Sequence, residues 1–490
     1  MSLFRQISSL ARHSAIYAVS TAMQRLPGFL LLPIYTNFHY IPTQDDFGDY
    51  VIVFTFIAFM NFFFLYGMDS AMMRYFFLGK SDRKTVFSTT FYILLLTSLI
   101  STTAVMFFSG NIAQFLLKSV DYQPLIRIAA LILLFDTFGN LPYLILRAEE
   151  KSIQFTAYKS LRFTLELGFN ILFVVILHKG VMGIFYTSLA AAIVNLLVMS
   201  PIIFRYLQPR LDVSLGREML RFGLPLLPNG IAFMTIEMID RILVPTFLNK
   251  AALASYGANY RFGAILLLLI TAFRNAWQPF FLKIANQENA RKIYASVLTY
   301  FVIGAGMIVL LVSYFIRDLL TFPFFGKHYI LAETAYWDGI SIIPIILLSY
   351  FFFGIYVILT PGFYIRKKTR YMIIFTGCGA AVNIAANLFL LPLLNSFWGA
   401  AWATLLSYLA MAVTIYIVAN RIYPIAVEWG RISKIFAMIA LLLGVYFYFQ
   451  PGFIARIIIM LVMILYCIFG VLLNAERRMI TTRLRGLFGR

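Results

Sequence analysis

Apolar residues run along this chain in blocks, each closed by a short polar or basic cluster. A bilayer core of about 30 Å takes roughly 20 helical residues to cross. Blocks of that length fall at 14–37, 50–72, 86–108, 125–146, 153–177, 181–204, 220–248, 253–281, 293–316, 337–360, 371–391, 398–418, 432–449 and 453–473. The pattern predicts an all-α polytopic membrane protein with about fourteen transmembrane helices. The thirteenth block is the weakest, being short and carrying Lys434 near its start.

Composition supports the pattern. Of 490 residues, 61% are hydrophobic and only 12% charged, and mean hydropathy is +0.85. An ordinary soluble chain is about 25% charged. A secreted disulfide scaffold, a disordered chain and a nucleic-acid-binding globule are all excluded, despite a net charge of +20. Cys378 and Cys467 sit in separate apolar blocks and read as helix packing.

The basic residues set the expected orientation. With the N-terminus inside, 27 Lys and Arg fall on the cytoplasmic side, seven on the other and six within spans. That asymmetry puts both termini in the cytoplasm. Met1 to Arg12 has no small-residue cleavage site and reads as an uncleaved cytoplasmic end. The Asp45–Asp49 stretch then forms an outer hairpin. The longest outer loop, Arg317 to Tyr336, is too short for a catalytic domain, so any activity belongs to the helical bundle.

The first and seventh blocks share a layout. One reads Leu26-Pro27-Gly28-Phe29-Leu30-Leu31-Leu32-Pro33 and the other Leu224-Pro225-Leu226-Leu227-Pro228; each precedes an aromatic-Gly step, at Phe47-Gly48 and at Tyr256-Gly257. Both steps are expected in outer turns. This parallel repeat divides the chain into an N-lobe (1–204), a cytoplasmic linker (205–219), a C-lobe (220–420), and a terminal helix pair with a basic tail (421–490). Two six-helix lobes around a central cavity are the architecture of alternating access.

Charges inside the spans are costly and point to a wet cavity. Arg25 falls near the midplane of the first span. In the fifth, Lys159, Arg162 and Glu166 share one face, with Glu166 placed to pair with Arg162 at i+4. A structural ion pair and a substrate-facing basic strip fit these three equally. In the seventh, Glu237 and Arg241 lie one turn apart, while Asp240 needs a partner elsewhere, Arg261 or Arg25. Asp240 reads as a lock between helices or as a gate or proton site. Arg274 lies toward the cytoplasmic end of the eighth span, and Asp136 has no cation within a turn. Six cations against four acids leave a positive surplus that suits an anionic, amphiphilic cargo such as a lipid pyrophosphate. No enzyme is expected: the four histidines are scattered, no metal box is present, and no P-loop occurs. No cofactor is expected either.

Several segments resemble the Wzx-type oligosaccharide-lipid flippases of the multidrug/oligosaccharidyl-lipid/polysaccharide exporter superfamily. They are Asp46-Phe47-Gly48-Asp49-Tyr50, Gly67-Met68-Asp69-Ser70-Ala71-Met72-Met73-Arg74-Tyr75-Phe76, Leu146-Arg147-Ala148-Glu149-Glu150-Lys151, and Phe222-Gly223-Leu224-Pro225-Leu226-Leu227-Pro228 ending in Ile239-Asp240-Arg241. The resemblance runs in order through about the first 280 residues. It implies flipping of undecaprenyl-pyrophosphate-linked oligosaccharide to the outer face of the bacterial cytoplasmic (inner) membrane, for O-antigen, capsule or another surface polysaccharide. It also implies rocking of two lobes among membrane lipids, with a polysaccharide polymerase and glycosyltransferases as neighbours in the pathway. By position it places Arg25, Asp240 and Arg241 at the central cavity. The cavity cations are then Arg25, Lys159, Arg162, Arg241, Arg261 and Arg274, and the gating or coupling carboxylates Asp240, Glu237, Glu166 and Asp136, with H+ and Na+ as candidate coupling ions. The first span carries no carboxylate, a departure from the related multidrug exporters. A multidrug/cation antiporter, a peptidoglycan lipid-precursor flippase and, more remotely, a membrane glycan polymerase or ligase are the alternative readings.

Overall fold

The computed structural model describes residues 28–78, 81–149, 151–323, 329–366, 368, 370–474 and 476–477. These are helical throughout, with no strand among them. They hold twelve helices long and apolar enough to cross a membrane, matching the second to fourth and sixth to fourteenth blocks. The count of fourteen is not reached among the described residues. The first block falls largely outside them. The fifth is helical over Ser152–Asn170 and continues as a wider turn over Ile171–Ile176, but Lys159, Arg162 and Glu166 lower its apolar character.

Local chemistry moves several boundaries. The Gln44–Leu65 helix starts six residues before the apolar block, because Thr43 and Asp46 cap it reciprocally. The Thr43 hydroxyl accepts the Asp46 amide at 3.1 Å, and the Asp46 carboxylate accepts the Thr43 amide at 3.1 Å. A cap of this kind contributes about 1 kcal/mol. Asp45–Asp49 is thus the first turn and a half of a helix, not a hairpin. The second aromatic-Gly step likewise lies inside the Lys250–Gly263 helix. The expected linker is partly helical too: Val213–Gly223 forms a helix capped by Asp212, whose carboxylate accepts the Leu215 amide at 3.0 Å. A further short helix, Ser109–Leu117, follows the third block.

The seventh span is irregular at its start and loosens once further on. A tight turn at Leu224–Leu226 leads into Leu227–Met238, and a second helix, Asp240–Phe247, follows after Ile239. Pro225 and Pro228 have no amide to give and sit where a helix start needs none. Ile239 keeps helical dihedrals and accepts the Leu243 amide at 3.0 Å, so the second interruption is local; beside it the Asp240 carboxylate accepts the Arg241 amide at 2.8 Å. Irregular backbone at membrane depth survives only where protein or a water-filled cavity covers it.

The two ends of the Gln44–Leu65 helix meet distant parts of the chain. Near its start, a Cβ on Gly48 would lie 2.6 Å from the Lys250 carbonyl oxygen, so only glycine permits this approach. Asp49, one residue on, is buried and pairs with Lys250 at 2.6 Å. Past its end, Gly67 has φ +79°, and a Cβ there would lie 2.4 Å from the Gly223 carbonyl oxygen. An apolar cluster including Met68, Met72, Phe87, Leu141 and Met219 surrounds this second approach. At the periphery, the Trp429–Phe449 and Phe453–Tyr466 helices bury little of their surface, as lipid-facing helices should. Arg456 ties this pair to the Ala290–Leu320 helix through Asp318 at 2.6 Å.

Candidate functional site

A cavity of about 730 Å³ lies inside the bundle. Arg162, Arg241, Arg261 and Arg274 line it, with the carboxylates Asp136, Glu166 and Glu237. Among the described residues, four arginines against three carboxylates leave the lining net positive.

On one part of the wall, Arg162 is held by two acids. Its Nε donates to Glu166 at 3.1 Å, the i+4 pair expected from sequence, and its Nη2 lies 2.9 Å from Asp136. Asp136 therefore has a cation after all, supplied from the next helix rather than from its own. Glu166's helix continues the polar wall through Asn170, whose Oδ1 accepts the Tyr35 hydroxyl at 2.6 Å. Thr187 and Ser188 complete it. Lys159 is not among the cavity-lining residues described. It packs 3.8 Å over the Tyr143 ring, as a cation with an apolar stem does beside an aromatic face.

The second part of the wall comes from residues 233–274, with Tyr350 and Phe353. Arg261 does not meet Asp240. It donates to the Gly28 carbonyl at 2.8 Å and to the Tyr50 hydroxyl at 3.1 Å, joining the first two spans to the eighth. Arg241 lies 5.3 Å over the Tyr260 ring and donates to Met238 sulfur. Arg274 is exposed on the cavity and makes no ion pair or hydrogen bond among the described residues. Of the four lining arginines described, it is the exposed one. Arg25 lies outside the described residues.

This wall includes part of a tyrosine cage. Glu237 accepts hydroxyls from Tyr408 and, at 3.0 Å, from Tyr350; Tyr350 in turn bonds Tyr260 at 2.8 Å. Asp240 is fully buried outside the cavity lining and accepts the Tyr256 hydroxyl. Buried carboxylates satisfied by neutral donors avoid the penalty of orphaned acceptors. The sequence gives no warning of this cage: its tyrosines come from three helices in a chain with 29 tyrosines. Asn170 was findable, since it continues the Lys159, Arg162, Glu166 face at i+4. No cluster of three or more metal-ligating side chains occurs among the described residues.

A multi-pass helical membrane bundle with a charged central cavity is the class that fold and site define. Solved structures share the fold. The lipid II flippase MurJ in its inward closed conformation aligns over 92% of this chain and 97% of its own, at 16% identity and TM-score 0.72. An inward-facing multidrug resistance MATE family transporter of the MOP superfamily aligns over 86% and 99%, at 16% identity and TM-score 0.64. The Vibrio cholerae MATE transporter VcmN in its bent form aligns over 85% and 98%, at 12% identity and TM-score 0.59. No curated protein matches the sequence. The chain belongs to the family described as polysaccharide biosynthesis protein, which matches residues 41–330. That stretch holds all four segments on which the flippase resemblance rests.

Proposed function

We propose that the chain flips a polyprenyl-pyrophosphate-linked oligosaccharide across the bacterial cytoplasmic membrane for surface polysaccharide assembly. The observation that carries this reading is the arginine-rich lining of the cavity inside the bundle. A diphosphate is recognised through planar guanidinium forks, and Arg274, Arg261 and Arg241 come from consecutive helices that line one wall. Membership of a polysaccharide biosynthesis family supports a glycan cargo. The fold shared with the flippase MurJ and with MATE transporters supports transport by alternating access between two lobes, the N-lobe at 1–204 and the C-lobe at 220–420. Both termini lie in the cytoplasm in this reading, as the Lys/Arg asymmetry demands. The chain acts as a transporter rather than an enzyme. Glu237 and Asp240 are the coupling candidates, with H+ or Na+ as the driving ion.

The peptidoglycan lipid precursor is the second reading, favoured by the overlap with the MurJ fold. One experiment separates the two. Purified protein in proteoliposomes is offered fluorescent polyprenyl-pyrophosphate carrying either a plain sugar unit or a sugar with a peptide stem. Flipping of the first alone supports the proposal. Flipping of the stem-bearing lipid alone favours the second reading, and flipping of neither sinks both.

A further inference from the structure

The cavity's charges are not spread evenly over its lining. The wall built from residues 136–188 carries Asp136, Glu166 and Arg162, net one negative; the wall built from 237–274 carries three arginines and Glu237, net two positive. From this partition we infer that the 136–188 wall is the sugar-facing subsite and selects by charge. It admits neutral or amino-bearing sugars and rejects acidic ones. The inference rests on the lipid-linked glycan reading above and adds the sugar class to it.

The hydrogen-bond inventory carries the point further than net charge. Arg162 commits its Nε and Nη2 to Glu166 and Asp136, whose two negative charges outweigh its one positive charge, while its Nη1 donors take no partner among the described residues. The two carboxylates are acceptor-only and still partly open, at 30% and 24% side-chain exposure. Ser188, partly exposed, points its hydroxyl hydrogen back to the Ile184 carbonyl at 3.1 Å, which leaves its lone pairs free; Thr187 does the same to Gly183 at 2.9 Å but is buried. Asn170 uses its oxygen on Tyr35 and one amide hydrogen on the Glu166 carbonyl. The wall is therefore rich in acceptors. Sugar hydroxyls and ammonium groups are donors and match it. A uronic carboxylate brings more acceptors and a like charge, which is penalised in a desolvated site.

The two walls are also linked in a way that fits one extended headgroup. Arg261 bonds Tyr50, the Tyr50 and Tyr35 rings lie 5.4 Å apart, and Tyr35 bonds Asn170. A diphosphate on the arginine wall thus has an aromatic bridge beside it that leads to the acceptor wall. Aromatic faces are also surfaces for the apolar face of a sugar ring.

The test uses the full chain in lipid nanodiscs with two matched probes. These are a short polyprenyl pyrophosphate bearing one N-acetylhexosamine, and its counterpart oxidised to a carboxylate at C6. The parent should bind the neutral probe at least about tenfold more tightly than the acid. Ser188→Lys adds a cation to this wall while leaving Arg162, Asp136 and Glu166 in place, and should cut that preference to about threefold or less. Glu166→Gln should move it the same way. Equal binding of both probes by the parent overturns the inference alone. So does a preference that survives unchanged in Ser188→Lys and Glu166→Gln variants that melt like the parent. Binding of neither probe removes the lipid-linked glycan reading, and this inference with it.

Discussion

Arg162 and Arg274 both line the cavity, yet their surroundings assign them different consequences on removal. Arg162→Ala would leave Asp136 and Glu166 facing each other without a cation inside the bundle. Breaking one side of a fully buried ion pair costs about 3–5 kcal/mol, and this partly open group should lose less, about 1–3 kcal/mol. The expected outcome is a marked fall in melting temperature and yield. Arg274 has donors facing open space, so Arg274→Ala should leave melting within about 1 kcal/mol of the parent. It should weaken binding of the lipid pyrophosphate at least about tenfold, the size of a charge-assisted hydrogen bond. A thermal-shift assay beside a binding titration separates the two variants, and a reversed pattern would refute both assignments. At this scale the sequence was legible only within a helix turn. Arg162–Glu166 followed from i+4 spacing, but Asp136–Arg162 spans 26 positions and Tyr408–Glu237 spans 171. Pairings of that separation are fixed by how helices pack, and no local spacing encodes them.

Helix identity was far more legible than helix ends. Twelve blocks reappear as membrane-length helices because twenty apolar residues have one stable form in lipid. Ends depend on capping and proline chemistry, which hydropathy does not carry: Thr43 and Asp46 extend one helix, and Pro225 and Pro228 shape the start of another. The Gly67–Gly223 approach gives an element-level test. Gly67→Ala meets both a left-handed backbone and a carbonyl 2.4 Å away, so it should lower stability by about 1–3 kcal/mol. Gly110→Ala, with only side-chain atoms at 3.7 Å or beyond, is the control expected to melt like the parent. Just past the Gln123–Ala148 helix, burial pushes the Glu149 carboxyl up. The Lys151 ammonium at 2.7 Å and the Tyr206 hydroxyl outweigh burial and hold it below the ordinary range. A depressed carboxyl stabilises the fold above its unfolded pKa of about 4.3, and that contribution fades as pH falls through the lower folded value. Glu149→Gln should therefore melt below the parent at pH 7 and approach it in acid. A gap that persists or widens in acid would refute the pairing.

On the scale of the whole molecule, the two ends of the Gln44–Leu65 helix are both engaged: Gly48 and Asp49 on Lys250, and Gly67 on Gly223. Hydropathy and the charge surplus made a membrane bundle with a positive interior legible. Which ends touch was not, because Asp49 and Lys250 are two hundred positions apart and each reads alone as a surface charge. If transport proceeds by opening one end at a time, these contacts set the resting balance. Asp49 is almost fully buried and its partner only 22% exposed, so Lys250→Ala strands a carboxylate. The strain is relieved when that end parts and water reaches Asp49. The balance should then shift toward openness at the Asp49 end. Ser188→Cys on the cavity wall, in a chain with Cys378 and Cys467 replaced by alanine, reports this shift. A membrane-impermeant maleimide added from the Asp49 side should label it several-fold faster in Lys250→Ala than in the parent, and one added from the Gly67 side should label it more slowly. Asp49→Asn with Lys250→Ala removes the stranded charge and should restore labelling part of the way. If Lys250→Ala instead speeds labelling from both sides, the contact merely holds the bundle together and does not bias its facing state.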